Sequence, residues 1–405
     1  MKKIILLAIL LSITLCLSSQ QQQYEVTVIN ISVPVRVFEG NNFVDNLMIE
    51  DFELYEDGKL QKIQALYLAK KTQIERREES RNFMPLVSRR FYFLFQQSEH
   101  NPKLAEAMDY FFSNVLLQGD TLEIMTPVKT YTLSPEALKS KSKEFMAKEL
   151  NSLIRKDTMI GSAQYRTLIK ELKGIARRIS STAGGISGMS SEFESDQDPS
   201  QLGQYLLPRY RGSLEQLDEL RVRDEKQFFR FAAQLKRLEG QKNVFFFYQR
   251  EFRPDLHPRV VSRIMSEYQD KPNIQGSLQD LMLSYKRTPK MNIDRLKKAF
   301  ADSSILFNFI YMHKEPENTR GIKMTEQSED VFNTFTQVAE ATGGITDSSQ
   351  NPAAAFKAAS EIAESYYLLY YSPENYRKDG KYRNIEVKVK NKDCKITHRQ
   401  GYFAN

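Results

Sequence analysis

Tryptophan is absent from this 405-residue sequence, and cysteine occurs only as Cys16 and Cys394. Without tryptophan, the bulky volume of a core must come from 25 phenylalanines and 20 tyrosines. Cys16 lies in an apolar N-terminal run, so a mature chain keeps Cys394 alone and can form no intramolecular disulfide. Cys394 reads as a small buried hydrophobe, and stability has to come from packing. Histidine is scarce too. His100, His257, His313 and His398 are scattered, with no metal-ligand spacing. Neither a Gly-x-Ser-x-Gly elbow nor a phosphate-binding Gly-Lys loop occurs. Ser140-Lys141-Ser142-Lys143 fits a Ser-x-x-Lys string, but it sits in a Lys-rich amphipathic pattern and reads as a solvated helix face. Gly184-Gly185 lacks the strand-then-helix setting of a nucleotide site. These absences point to a non-enzymatic chain without a cofactor.

Charge of one sign is not concentrated anywhere. The formal net charge is +7, and it falls to +5 when Lys2 and Lys3 leave with an N-terminal leader. The charges are interspersed, as from Lys71 to Arg90, so the basic face of a nucleic-acid binder is missing. Hydrophobic residues make up 41% and charged residues 27%, enough for a globular chain with a real core.

The N-terminus has three parts: basic Met1-Lys2-Lys3, an apolar run from Ile4 to Leu17, and small residues Ser18 and Ser19 before a glutamine stretch. This pattern predicts a signal peptide over residues 1–19 and a secreted or periplasmic product. The run is too short for a comfortable anchor, so no membrane span is expected once it is removed. Lipid anchoring at Cys16 is disfavoured, because Leu15 stands where a small residue is required.

Residues 24–68 read as a β segment. Ile29, Ile31, Val33, Val35 and Val37 alternate as in a half-buried strand, with Pro34 marking an edge or a bulge. Asp57-Gly58 is a hairpin turn, and Leu60 to Leu68 returns as a strand. Residues 69–90 read as a charged linker. A different regime then begins. Phe91 to Phe95, Val244 to Tyr248 and Ile305 to Tyr311 are apolar throughout, as in strands buried on both faces. Helical spacing appears over Pro102 to Leu117, Pro135 to Leu153, Tyr165 to Ile179, Phe228 to Leu238, Val331 to Ala339 and Ala353 to Ala363. Alternation of these elements predicts a three-layer α/β domain over residues 91–364 with a mostly parallel sheet. Residues 181–208, rich in Gly, Ser, Asp and Gln, read as a flexible insertion whose Asp196 and Asp198 are solvated. Residues 365–405 revert to β, with Asn391-Lys392-Asp393 as a turn. Each β-rich end is too small to stand alone. Both are therefore expected to pair into one β-sandwich-like domain that carries the α/β domain as an insert.

Several phrases occur in an order that resembles the von Willebrand factor A-related family of acidobacterial type. They are Asp51-Phe52-Glu53-Leu54-Tyr55-Glu56-Asp57-Gly58-Lys59-Leu60-Gln61-Lys62-Ile63, Gln118-Gly119-Asp120-Thr121, Gly240-Gln241-Lys242-Asn243-Val244 and Ala339-Glu340-Ala341-Thr342-Gly343-Gly344. Tyr366-Tyr367-Leu368-Leu369-Tyr370-Tyr371-Ser372-Pro373 and Arg399-Gln400-Gly401-Tyr402-Phe403 complete the series. The resemblance spans residues 25–403 and implies a von Willebrand factor A-like (Rossmann-like) fold. It also implies a divalent cation held by oxygens from three loops: an Asp-x-Ser-x-Ser run after the first core strand, a Thr, and an Asp after the fourth. Here the first run reads Gln96-Gln97-Ser98-Glu99-His100, in which only Ser98 matches. Gln249-Arg250 replaces the Asp, and Thr158 or Thr167 is the candidate Thr. Magnesium needs a full set of hard oxygens, so this degenerate site, marked by Gln96, Ser98, His100 and Gln249, is expected to hold no metal. Arg250, helped by Ser98 and Gln96, is instead a candidate contact for a carboxylate ligand; the plainer reading is a solvated loop arginine. The expected function is an exported protein-interaction module with an unidentified protein partner. The alternatives are a scaffold subunit of a cell-envelope complex and, third, an unrecognised hydrolase.

Overall fold

The computed structural model describes residues 29–80, 83–182, 201–221, 225–285, 291–374, 376–390 and 393–405. The leader with Cys16, the start of the first strand, Asp196 and Asp198, and the turn at Asn391-Lys392 lie outside the described residues.

The strands of the N-terminal part are β1 (Ile31–Glu39), β2 (Asn42–Phe43), β3 (Phe52–Glu56), β4 (Lys59–Gln61), β5 (Ile63–Lys70) and β6 (Gln73–Glu79). The middle part contributes β7 (Arg89–Gln96), β8 (Thr121–Met125), β9 (Thr130–Leu133), β10 (Gln241–Gln249), β11 (Phe252–Leu256), β12 (Ile305–Met312), β13 (Ile322–Glu326) and β14 (Thr346–Asp347). The C-terminal part adds β15 (Ser365–Tyr371), β16 (Tyr382–Val389), β17 (Lys395–His398) and β18 (Gly401–Phe403).

The central sheet runs β14-β12-β10-β7-β8-β9. Its apolar strands are buried on both faces because helices cover both. Phe93, Phe95, Phe245 and Phe247 pack on one side with Phe111 and Phe356, and Tyr92, Val244, Phe246 and Tyr248 pack on the other with Phe300 and Phe335. The sheet is mixed. Thr126 accepts a hydrogen bond from Lys129 N–H at 3.1 Å and closes a tight turn, so Thr130–Leu133 returns antiparallel to β8. That short strand interrupts the path to the next helix, and its four residues are too few to stand out as an alternating pattern.

The expected fold is therefore corrected. The chain is a mixed α/β structure with one mixed sheet and several antiparallel ones, not a von Willebrand factor A-like three-layer domain inserted in a β-sandwich. The two chain ends do pair: β15 lies between β1 and β5, and β16 pairs with β3. They form a curled antiparallel half-barrel rather than two flat sheets face to face. Register shifts at Tyr370/Tyr371 and Leu68/Ala69 mark bulges, which bend strands and increase their twist. The apolar face of β1 fills the concave side with Leu54, Tyr367 and Leu369.

The charged stretch 69–90 contains β6, an edge strand paired with β5. Its alternate residues are exposed, and charges on an edge strand keep other chains from pairing there. The expected insertion is helical where it is described: a π-type turn at Leu202–Leu206 leads into the helix Leu207–Arg221. Together with the helices Ala163–Thr182, Pro258–Glu267 and Pro272–Ser284, these residues bury a core of their own beside the antiparallel pair β11–β13.

Candidate functional site

Strands β7, β10 and β12 are parallel neighbours, so the segments that follow them emerge side by side at one edge of the sheet. Gln96 ends β7 opposite Tyr248, and Gln249 ends β10 opposite Met312. The buried Gln249 side chain takes over the centre of the loop. Its Oε1 accepts hydrogen bonds from Ser98 N–H, Ser98 Oγ and Glu99 N–H, each at 3.0 Å. An amide oxygen that accepts three donors fixes the loop backbone much as a bound ligand would.

Beside it sits a cation that the residue pattern did not single out. Lys314 Nζ donates to Ser98 Oγ at 3.1 Å and lies 2.8 Å from Glu99 Oε1. Lys314 follows β12 by two residues, as Ser98 follows β7. That parallel spacing was the available signal, but it acquires meaning only once the two strands are known to lie one strand apart in the same sheet. Glu99 is half exposed, so the ion pair contributes at most about 1 kcal/mol. Its role is to place a positive charge where the loop oxygens gather.

Gln97 is buried, and its Nε2 donates to Thr158 Oγ1 at 2.7 Å. Thr167 instead donates to Ala163 O of its own helix, away from this cluster. Arg166 holds the loop from below, donating to Ser98 O at 3.3 Å and Met159 O at 2.8 Å. The half-buried His100 has its basicity lowered by burial and then by Arg155.

Arg250 is committed elsewhere. Its Nε lies 3.2 Å from Glu326 Oε1, and its guanidinium stands 5.7 Å from the centroid of the Tyr311 ring. Tyr311 O–H donates to the same Glu326 oxygen at 2.6 Å; burial, and then this hydrogen bond, raise the phenol's pKa. The structure thus brings Ser98 and Gln249 together and ties Arg250 to a carboxylate of β13.

Next to Glu99 and Lys314 opens a groove of about 420 Å³. The helix Ala163–Thr182 supplies Arg166, Lys170, Lys173 and Arg177 to one wall, at spacings that recur on a single helical face. Lys173 pairs with Glu317, whereas Lys170 and Arg177 are exposed and form no salt bridge with a described residue. Among the described residues, no group of three or more His, Cys, Asp or Glu side chains is placed to hold a metal ion. No helix among them is long and apolar enough to cross a membrane.

Compared with known protein families and with curated proteins, the sequence finds no match. Among solved structures, the crystal structure of the human COPII-coat protein Sec24c aligns with 80% of this chain at 7% identity. The chain spans 44% of that protein, and the TM-score is 0.29, a likeness too slight to carry an argument.

Proposed function

We propose that this chain is an exported, non-enzymatic protein-interaction module that grips its partner at the 96–100 loop and the adjoining groove, without a bound metal ion. The observation that carries this reading is the Lys314 ammonium between Ser98 Oγ and Glu99. A protein-borne cation there leaves no need for a divalent one, since hard cations demand several free oxygens. Exposed Lys170 and Arg177 then offer charge to an acidic partner surface. The leader pattern supports export, and the resemblance of the ordered phrases to the von Willebrand factor A-related family favours a binding role over catalysis.

The test is a pull-down with the mature protein from the envelope fraction of its own cells, with and without chelator. The expected outcome is a partner retained equally in both conditions and lost with the Lys170→Glu/Arg177→Glu double variant. Capture that vanishes with chelator, or that the double variant leaves intact, would overturn the reading.

A further inference from the structure

At the opposite end of the central sheet, where β10 and β12 begin, the half-barrel closes over a pocket of about 320 Å³. Arg36 from β1, Lys242 from β10 and Arg399 from the turn before β18 all line it. They are 4%, 4% and 7% exposed. Arg36 Nε donates to Ile362 O at 3.0 Å, and Lys242 Nζ donates to Leu238 O at 2.9 Å and Leu235 O at 3.1 Å. Arg399 Nη1 donates to Ser304 Oγ, while its Nε is buried without a hydrogen-bond partner among the described residues.

None of the three forms a salt bridge with a described carboxylate. Asp302, in electrostatic reach of Arg399, is taken by Lys236 at 2.6 Å and by Phe403 N–H at 2.9 Å. Buried charges in proteins are ordinarily paired, because desolvation without a counter-charge is costly. Here burial lowers the basicity of all three, Arg36 to about 10; burial, then Arg399 and Arg90, together bring Lys242 to about 8. Three buried cations thus line one pocket with no described carboxylate paired to them. Arg36 and Arg399 lie over the rings of Tyr366 and Tyr402, at 5.4 and 5.9 Å from the centroids, which offsets only part of that cost.

We propose that this pocket binds a phosphate-type oxyanion, free or as the head group of a small organic molecule, through Arg36, Lys242 and Arg399. Two guanidinium groups suit fork-like recognition of such oxygens, and a doubly charged anion balances three cations better than a single carboxylate does. The volume lies at the lower end of small-molecule pockets, leaving room beside the head group. Met84 and Leu86, both exposed, stand at its rim to meet an apolar body.

Titration calorimetry and thermal melts of the full mature chain with sulfate, inorganic phosphate, phenyl phosphate and acetate, at constant ionic strength, test this. Sulfate and both phosphates should bind and raise the Tm, and acetate should bind far more weakly. Lys242→Gln and Arg399→Gln should each weaken phosphate binding roughly tenfold or more, the usual weight of one charged hydrogen bond. Because Lys242 also holds the carbonyls of Leu235 and Leu238, the ligand-free Tm of Lys242→Gln is not the readout. The rise in Tm with phosphate is, and it should shrink in Lys242→Gln and Arg399→Gln; an undiminished rise in both would overturn the site.

A second measurement needs no variant. Sulfate does not titrate near neutrality, so its binding near pH 8 should take up protons as Lys242 recharges. The binding heat should then change with the ionisation enthalpy of the buffer. The charged and titratable groups that line the pocket with Lys242 are Arg36, Lys236, Arg399, Tyr366, Tyr370 and the exposed Glu239, and Arg90 acts on it from the neighbouring strand. No heat and no Tm shift with sulfate or phosphate, or an equal response to acetate, would overturn the site.

Discussion

Asp120 and Arg89 form a bidentate pair in which both side chains are almost wholly buried. Nε–Oδ1 is 3.1 Å and Nη2–Oδ2 is 2.6 Å, with 3% and 1% of the side chains exposed. Asp120 Oδ2 also accepts Leu117 N–H at 2.7 Å, which fixes the turn into β8. Removing one partner strands the other charge in the interior. Asp120→Ala is expected to cost about 3–5 kcal/mol, measured by urea denaturation. His398 sets a pH dependence at the same scale. Its Nδ1 faces Arg399 O at 2.9 Å and its Nε2 accepts Val387 N–H at 3.3 Å, a pattern that requires the neutral ring. Burial lowers its basicity, as it does for His100. The unfolded chain therefore takes up protons first. Stability from both rings is full above pH 6.5 and declines as pH falls through 6.5 towards their folded values. Thermal melts from pH 7.5 to 5.5 should show a falling Tm, and His398→Gln should flatten much of the slope.

Among the elements, the helix Glu329–Thr342 shows how a short phrase carries a physical duty. Gly343 ends it with φ of +78°, a left-handed conformation that costs a side chain energy. Gly344 then passes against β12, where a Cβ would lie 1.9 Å from Phe307 O. Gly344→Ala should destabilise by about 1–3 kcal/mol through overpacking against backbone that cannot yield, read as a shift in denaturation midpoint. Asp57-Gly58 is a second such phrase. Both residues have positive φ, as a two-residue hairpin of this hand requires. The helix stop and the hairpin were both legible in the sequence, because each depends on a few adjacent residues. β6 was not. Its alternating charges describe a solvated linker and a charged edge strand equally well, and only pairing with β5 separates the two.

Over the whole molecule, the chain ends depend on each other. β15 takes hydrogen bonds from β1 on one side and β5 on the other, and β16 leans on β3. Deleting residues 24–68 removes all three supports. Amide exchange should then lose protection over residues 365–371 and 382–389; protection retained there would show that the C-terminal strands fold by themselves. Contact between the half-barrel and the central sheet also decides electrostatics. Arg36 stands on the polar face of a strand whose other face carries Val33, Val35 and Val37, and docking turns that polar face into a buried wall.

The sequence by itself determined where apolar strands and most helices lie, and where the hairpin and the helix stop fall. Each of these follows from local periodicity or from backbone conformations only a few residues tolerate. The tertiary structure decided strand direction at β9, the curl of the paired ends, the tie between Arg250 and Glu326, the appearance of Lys314 beside Ser98, and the gathering of Arg36, Lys242 and Arg399. All of these join residues far apart in the chain. Charge and hydrogen bonding act through space, and the spacing of a linear sequence acquires meaning for distant side chains only once the order of the strands that carry them is known.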